Sequence, residues 1–153
     1  MIKIELATDR LDDAFEALER ATGDLGPALK NIGEAQLLSI DERFADKKAP
    51  DGSKWQSNAA ATVGRKGFDE PLVGAERSLT LRTQHAYQLD TDALRVGSMM
   101  EYAAMQQFGG LRSEFPHLWG DIPARPFIGL SEDDEDEIVE IITDHIAMAA
   151  GTK

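Results

Sequence analysis

Ile2, Ile4 and Leu6 alternate with Lys3 and Glu5, the period-2 pattern of a short strand with one buried face. From Thr8 the period lengthens. Thr8 or Asp9 is placed to cap a helix in which Leu11, Phe15 and Leu18 share one face, with Ala14 and Ala21 along its edge and Gly23 as its stop. Asp24 is the next cap, Pro27 fits a first helical turn, and Leu29, Ile32, Leu37, Ile40 and Phe44 make the stripe of a second amphipathic helix.

From 46 to 70 the pattern dissolves. Ala49-Pro50-Asp51-Gly52 and Gly64-Arg65-Lys66-Gly67 are turn sequences, and Trp55, Val63 and Phe68 are the large apolar residues of the stretch. The pattern predicts a long loop, mobile in the free chain. Residues 74–81 predict a short helical turn. His85-Ala86-Tyr87-Gln88-Leu89 and Ala93-Leu94-Arg95-Val96-Gly97 predict a hairpin turning at Asp90-Thr91-Asp92. Glu101 to Phe108 suits a short helix ended by Gly109-Gly110, residues 111–124 are irregular, and Arg125 to Leu130 predicts a final strand entered through two prolines. Ser131 then caps a last helix with Ile138, Ile141, Ile142, Ile146 and Ala149 on one face. Hairpin-linked strands without crossover helices predict an α+β fold, a small antiparallel or mixed sheet packed against N-terminal and C-terminal helices, with a long central loop.

Length and composition narrow the function. The 153 residues fit one domain, 1–153. The absence of cysteine excludes a disulfide scaffold, Cys-ligated zinc, iron–sulfur clusters and thiol catalysis. No run of about 18 apolar residues occurs, and Met1-Ile2-Lys3-Ile4-Glu5 does not open a signal peptide; the expectation is synthesis and use in the cytosol, with no membrane partner. Sixteen bases against 28 acids give a net charge of −12, which opposes general attraction to nucleic acid or anionic lipid. The charge is unevenly placed. Residues 131–144 hold eight acids and no base, so that without them the net charge is −4, whereas Arg43 to Arg82 holds eight bases and five acids.

Signatures of catalysis are missing: no Gly-x-Ser-x-Gly, no phosphate-binding loop, no dinucleotide glycine fingerprint, no His-Glu-x-x-His. No catalytic residue and no cofactor are expected. Acids in succession at a helix start, Glu132 to Glu137, radiate outward and do not converge on a cation. His85, His117 and His145 share no ligand spacing, and His145 falls in the apolar stripe of the last helix. Trp55 and Trp119 each either anchor a loop on the core or meet a partner. A metal-dependent hydrolase or nuclease built on the terminal carboxylates is the alternative from another class, and it would have to act on a substrate that the net charge repels.

Six segments carry a further signal: Arg43-Phe44, Pro50-Asp51-Gly52-Ser53-Lys54-Trp55, Pro71-Leu72-Val73-Gly74, Val96-Gly97-Ser98, Tyr102 to Gly110 with its Gln106-Gln107-Phe108-Gly109, and Ile122-Pro123-Ala124-Arg125-Pro126-Phe127 running to Ser131. In this order they resemble the phage virion morphogenesis family, which includes the tail completion proteins of P2-like and Mu-like phages. The resemblance spans nearly the whole chain. It departs from the family pattern before the hairpin, where Gly74-Ala75-Glu76-Arg77-Ser78-Leu79 replaces Thr-Gly-x-Leu. It implies a non-enzymatic structural protein, located in the virion at the neck or tail end and in the host cytoplasm during assembly. By analogy with related connector and terminator proteins it implies a homo-oligomeric ring, with tail-tube and head-connector proteins as further partners and no sequence-specific nucleic acid binding.

The residues themselves add a physical reading. Pro123 and Pro126 bias Ala124 and Arg125 toward extended backbone and so aim Arg125 and Phe127. A pre-aimed Arg beside an aromatic suits an interface anchor; otherwise Phe127 packs beneath the last helix and Arg125 pairs with its acids. The expected oligomer or partner interface comprises Trp55, Phe108, Arg125, Phe127, Asp133, Asp134 and Asp136. The basic 43–82 and acidic 131–144 segments are candidates for the two sides of a head-to-tail contact; the competing account is that the acids keep the chain soluble or line a channel.

Overall fold

The structure is a computed structural model that describes residues 8–91 and 93–151. The alternating segment at residues 2–6 lies outside them. Helix α1 spans Asp9–Thr22; the Thr8 hydroxyl accepts from the Leu11 amide, and Gly23 ends the helix in the left-handed conformation at φ 65°. The N-cap of the next helix is Leu25 and not the expected Asp24, which sits one position earlier and accepts from the Gly26 amide through Oδ1 at 2.9 Å. Helix α2 then runs Gly26–Asp46 with Pro27 in its first turn.

Helix α2 is the spine, about 31 Å long at 1.5 Å per residue. Its first half gives Ala28 and Ile32 to a cluster with Leu11 and Leu18 of α1 and with Ile138 and Ile142 of α6, the helix Glu132–Gly151. Its second half gives Ile40 and Phe44 to a second cluster with Trp55, Leu81, Ala103, Phe127 and Ile128. One amphipathic stripe thus joins both cores.

The sheet, among the described residues, is one antiparallel hairpin, β1 His85–Leu89 and β2 Leu94–Ser98, in the register His85↔Ser98 and Tyr87↔Val96. Paired residues share a face. His85 and Tyr87 lie toward α2: the His85 ring sits 5.6 Å from Phe44 and 5.4 Å from Phe127, and the Tyr87 hydroxyl donates to Glu34 at 2.6 Å. The expected α+β class is observed.

The expected 46–70 loop and the expected 125–130 strand differ. The 46–70 stretch is not one irregular loop, because it holds α3, Ala60–Lys66, closed by Gly67 at φ 78°. It is also fastened to the core: Lys48 bridges Lys54, and the Trp55 indole is buried and donates from Nε1 to the Pro126 carbonyl at 2.8 Å. The helical turn expected within 74–81 is a 3₁₀ turn, Ala75–Arg77, followed by α4, Thr80–Thr83.

Arg125 to Leu130 forms no strand. Its backbone groups are taken by side chains. Gln107 of α5, the helix Ala103–Phe108, accepts from the Phe127 and Ile128 amides at 2.9 and 3.0 Å and donates to the Ile128 carbonyl at 2.7 Å. Arg43 donates to the Phe127 and Gly129 carbonyls at 2.9 and 3.0 Å. Buried backbone must be paired, and these side chains stand in for a neighbouring strand.

Candidate subunit interface

Three of the segments behind the family resemblance, those that carry Arg43, Trp55 and Gln106-Gln107, bond to the backbone of residues 125–129, in which Arg125, Phe127 and Ile128 are buried. The Arg125 amide donates to the Gln106 carbonyl at 2.8 Å. At Gly109, φ is 73° and a Cβ would stand 2.7 Å from the Ile122 carbonyl oxygen, so the close approach of these two backbones requires glycine. The Arg43 guanidinium, the Trp55 indole and the Gln107 amide meet the same segment from three directions.

The interior position corrects four of the expected interface residues. Phe127 is 0% exposed, and its ring lies 5.3 Å from Phe44. Arg125 is 5% exposed and donates from Nε to the Gln56 carbonyl at 2.8 Å and from Nη2 to the Ser57 carbonyl at 3.0 Å. It therefore tethers the 56–57 backbone, and among the described residues it forms no ion pair with the acids of α6. Trp55 anchors the 46–59 stretch on the core. Asp134 is buried in an ion pair with Arg43 and in a capping box, accepting from the Ser131 amide and hydroxyl at 2.7 Å while Ser131 Oγ accepts from the Asp134 amide at 3.1 Å. Burial works to raise the Asp134 carboxyl, but the Ser39 and Ser131 hydrogen bonds and the Arg43 charge outweigh it and hold it below the usual carboxylate range.

The other three are on the surface. Phe108 is 61% exposed, Asp136 pairs with Arg10 at 2.7 Å, and Asp133 is exposed and unpaired among the described residues. The acidic run does not converge. Asp134 turns inward, Asp136 turns to α1, and among the described residues no three His, Asp or Glu side chains gather as a metal site requires.

Sequence reasoning missed the feature beside Phe108. Gly110 and Ile122 exchange both backbone hydrogen bonds, at 2.9 and 2.8 Å, and close a loop whose interior is braced by the Arg112 amide donating to Asp121 Oδ1 at 2.8 Å. Loops clipped at the neck in this way are compact and frequently functional. This one presents Leu111, Phe115 and Trp119, the last 100% exposed. With Met99, Tyr102 and Phe108 also exposed, the segment 99–119 carries six exposed large apolar side chains. The signal was present as aromatics in an irregular segment; the backbone clip that joins them comes from distant pairing.

A cavity of about 410 Å³ opens on the other side of α5, walled by α3, residues 72–81 and Arg125. Its wall holds three cations, Arg65, Lys66 and Arg125, and no acid.

The profile of the phage virion morphogenesis family matches residues 6–147. Two curated proteins are similar over nearly their full lengths. The Mu-like prophage FluMu G protein 2 of Haemophilus influenzae is 29% identical over 149 residues, covering 97% of this chain and 98% of the relative. Protein G of Escherichia phage Mu, named for capsid assembly, is 32% identical over 150 residues, covering 92% and 90%. No solved structure matches the chain significantly.

Proposed function

The chain belongs to the phage virion morphogenesis family, and from that premise we propose that it is a non-enzymatic virion subunit which completes the tail and prepares it to join the head, acting as a homo-oligomeric ring at the neck. Tail-tube and head-connector proteins are its further partners. The observation that supports this most is the set of exposed apolar side chains in residues 99–119, with Trp119 wholly exposed. A lone subunit gains nothing from holding an indole in water; a pre-formed aromatic loop lowers the ordering cost of association, and aromatic anchors dominate protein interfaces.

Electron microscopy of particles made with and without the protein tests this reading. Its absence is expected to leave finished heads beside unjoined or irregular tails. Normal virions in its absence would overturn the proposal. The name of the Mu relative favours a second reading, a role in the head; that reading expects defective or missing heads in the same micrographs.

A further inference from the structure

The cavity between α3, residues 72–81 and α5 has a cationic wall that no acid of the same chain meets in an ion pair among the described residues. Lys66 donates to the Glu70 carbonyl at 3.0 Å and to the Val73 carbonyl, and Arg125 donates to the Gln56 and Ser57 carbonyls. Neutral acceptors orient these two cations but do not neutralise them. Neither they nor Arg65 forms an ion pair among the described residues. The acids nearest in sequence are engaged otherwise, Asp69 by the Asn58 amide at 2.9 Å and Glu70 by Arg77. Burial, and after it the charge of Arg125, works against the charged form of Lys66, while the charges of Asp69 and Glu70 favour it, and Asp69 also favours the charge of Arg125 against burial. Asn58, also in the wall, has a buried Nδ2 donor with no acceptor, and Ser78 and Thr80 add hydroxyls. Leu72, in the wall, stands in the left-handed region at φ 61°, a backbone conformation that tends to persist where a site needs the shape.

The complementary surface is on the same molecule. Asp133, Glu137, Glu140 and Asp144 recur at i, i+4, i+7 and i+11, which places them on one stripe of α6 opposite its buried face. All four are exposed and free of ion pairs among the described residues.

We propose that the cavity receives a carboxylate from the α6 stripe of a second copy, so that each subunit offers the acid on one side and the cationic site on another. This contact is heterologous and propagates around a ring; it rests on the ring reading above and names its polar latch. A nucleic acid phosphate would meet the same donors, but the net charge of −12 opposes its approach while a stripe on a bound neighbour is delivered locally.

Sedimentation of the full chain across a concentration series tests the latch. Arg65 is exposed, so Arg65→Glu is expected to leave thermal unfolding unchanged and to weaken self-association at least about tenfold. Glu137→Lys with Glu140→Lys is expected to do the same, and the three changes in one chain to restore association to within about threefold of wild type. Arg65→Gln gives the weakening without reversal if Arg65→Glu lowers the melting temperature. Self-association that ignores these substitutions would overturn the latch and leave the ring reading standing; a chain that stays monomeric at every concentration would overturn both. Anisotropy with a labelled DNA duplex is the remaining arm: binding lost in Arg65→Glu would reassign the cavity to phosphate.

Discussion

Arg43 of α2 and Asp134 of α6 form an ion pair inside the subunit, both side chains less than a tenth exposed. The same guanidinium holds the Phe127 and Gly129 carbonyls, and the same carboxylate holds Ser131. One pair thus fixes the last helix and the extended segment before it. Arg43→Met is expected to destabilise by about 3–5 kcal/mol, because it leaves a buried charge and two carbonyls unpaired. Adding Asp134→Asn to it is expected to cost less than the sum of the single changes. Urea unfolding of the cycle measures this; additive losses would show that the pair is not coupled.

Arg125→Ala tests the tether directly. Its two hydrogen bonds come from a charged donor, each worth about 1.5–3 kcal/mol, so the melting temperature is expected to fall by several degrees and proteolysis between 56 and 59 to accelerate. An unchanged melting temperature with lost assembly would restore Arg125 to the surface role.

Gly33 and Tyr87 set a tolerance of a different kind. A Cβ on Gly33 would stand 2.7 Å from the Tyr87 ring, so the ring lies flat on the α2 backbone. Gly33→Ala favours the helix by propensity, by about 1 kcal/mol, yet is expected to destabilise by about 1–3 kcal/mol through overpacking. Tyr87→Ala in the same chain is expected to remove that penalty. A stabilised single variant would show that the hairpin shifts freely.

His85 gives the stability a pH dependence. Burial lowers its pKa, against a hydrogen bond to the Arg82 carbonyl at 3.0 Å and the Asp41 charge. The unfolded chain therefore takes up the proton first, and stability falls as pH drops below the ordinary histidine value of about 6.5 toward the folded one. Asp134, with its lowered pKa, adds a second loss below the ordinary carboxylate range. His85→Phe is expected to flatten the upper part of the profile alone. Thermal unfolding from pH 8 to 5 shows whether that slope belongs to His85.

Local periodicity made much of the fold legible: Thr8 and Ser131 as caps, Gly23 as a stop, the α2 stripe and the hairpin follow from spacing and turn chemistry. What it could not show was the pairing of distant groups. Gln107 reads as one more polar residue of a short helix until its amide is seen to replace a strand for residues 127–128, and the two prolines that suggested an exposed, aimed Arg125 serve instead to lay that segment through the core. The interface expectation therefore included four residues that lie inward, and it left Trp119 open between core anchor and partner contact because its loop is closed by Gly110 and Ile122, twelve positions apart.

Trp119 provides the sharpest separation of folding from assembly. Its indole is wholly exposed, so Trp119→Ser removes no contact from the subunit's own core and is expected to change stability by no more than about 0.5 kcal/mol. At an interface the same truncation costs about 2 kcal/mol or more, roughly a thirtyfold loss of affinity. Apolar association also responds to salt differently from the charged latch. Raising ionic strength from 0.1 to 1 M shortens the Debye length from about 10 to 3 Å and weakens the carboxylate contact, while an aromatic contact persists. Sizing of wild type and Trp119→Ser across that series should therefore give two independent losses, one with salt and one with the indole. If the variant assembles as wild type at both salt concentrations, the loop faces solvent in the assembly, and the subunit contact must be sought among Met99, Tyr102 and Phe108.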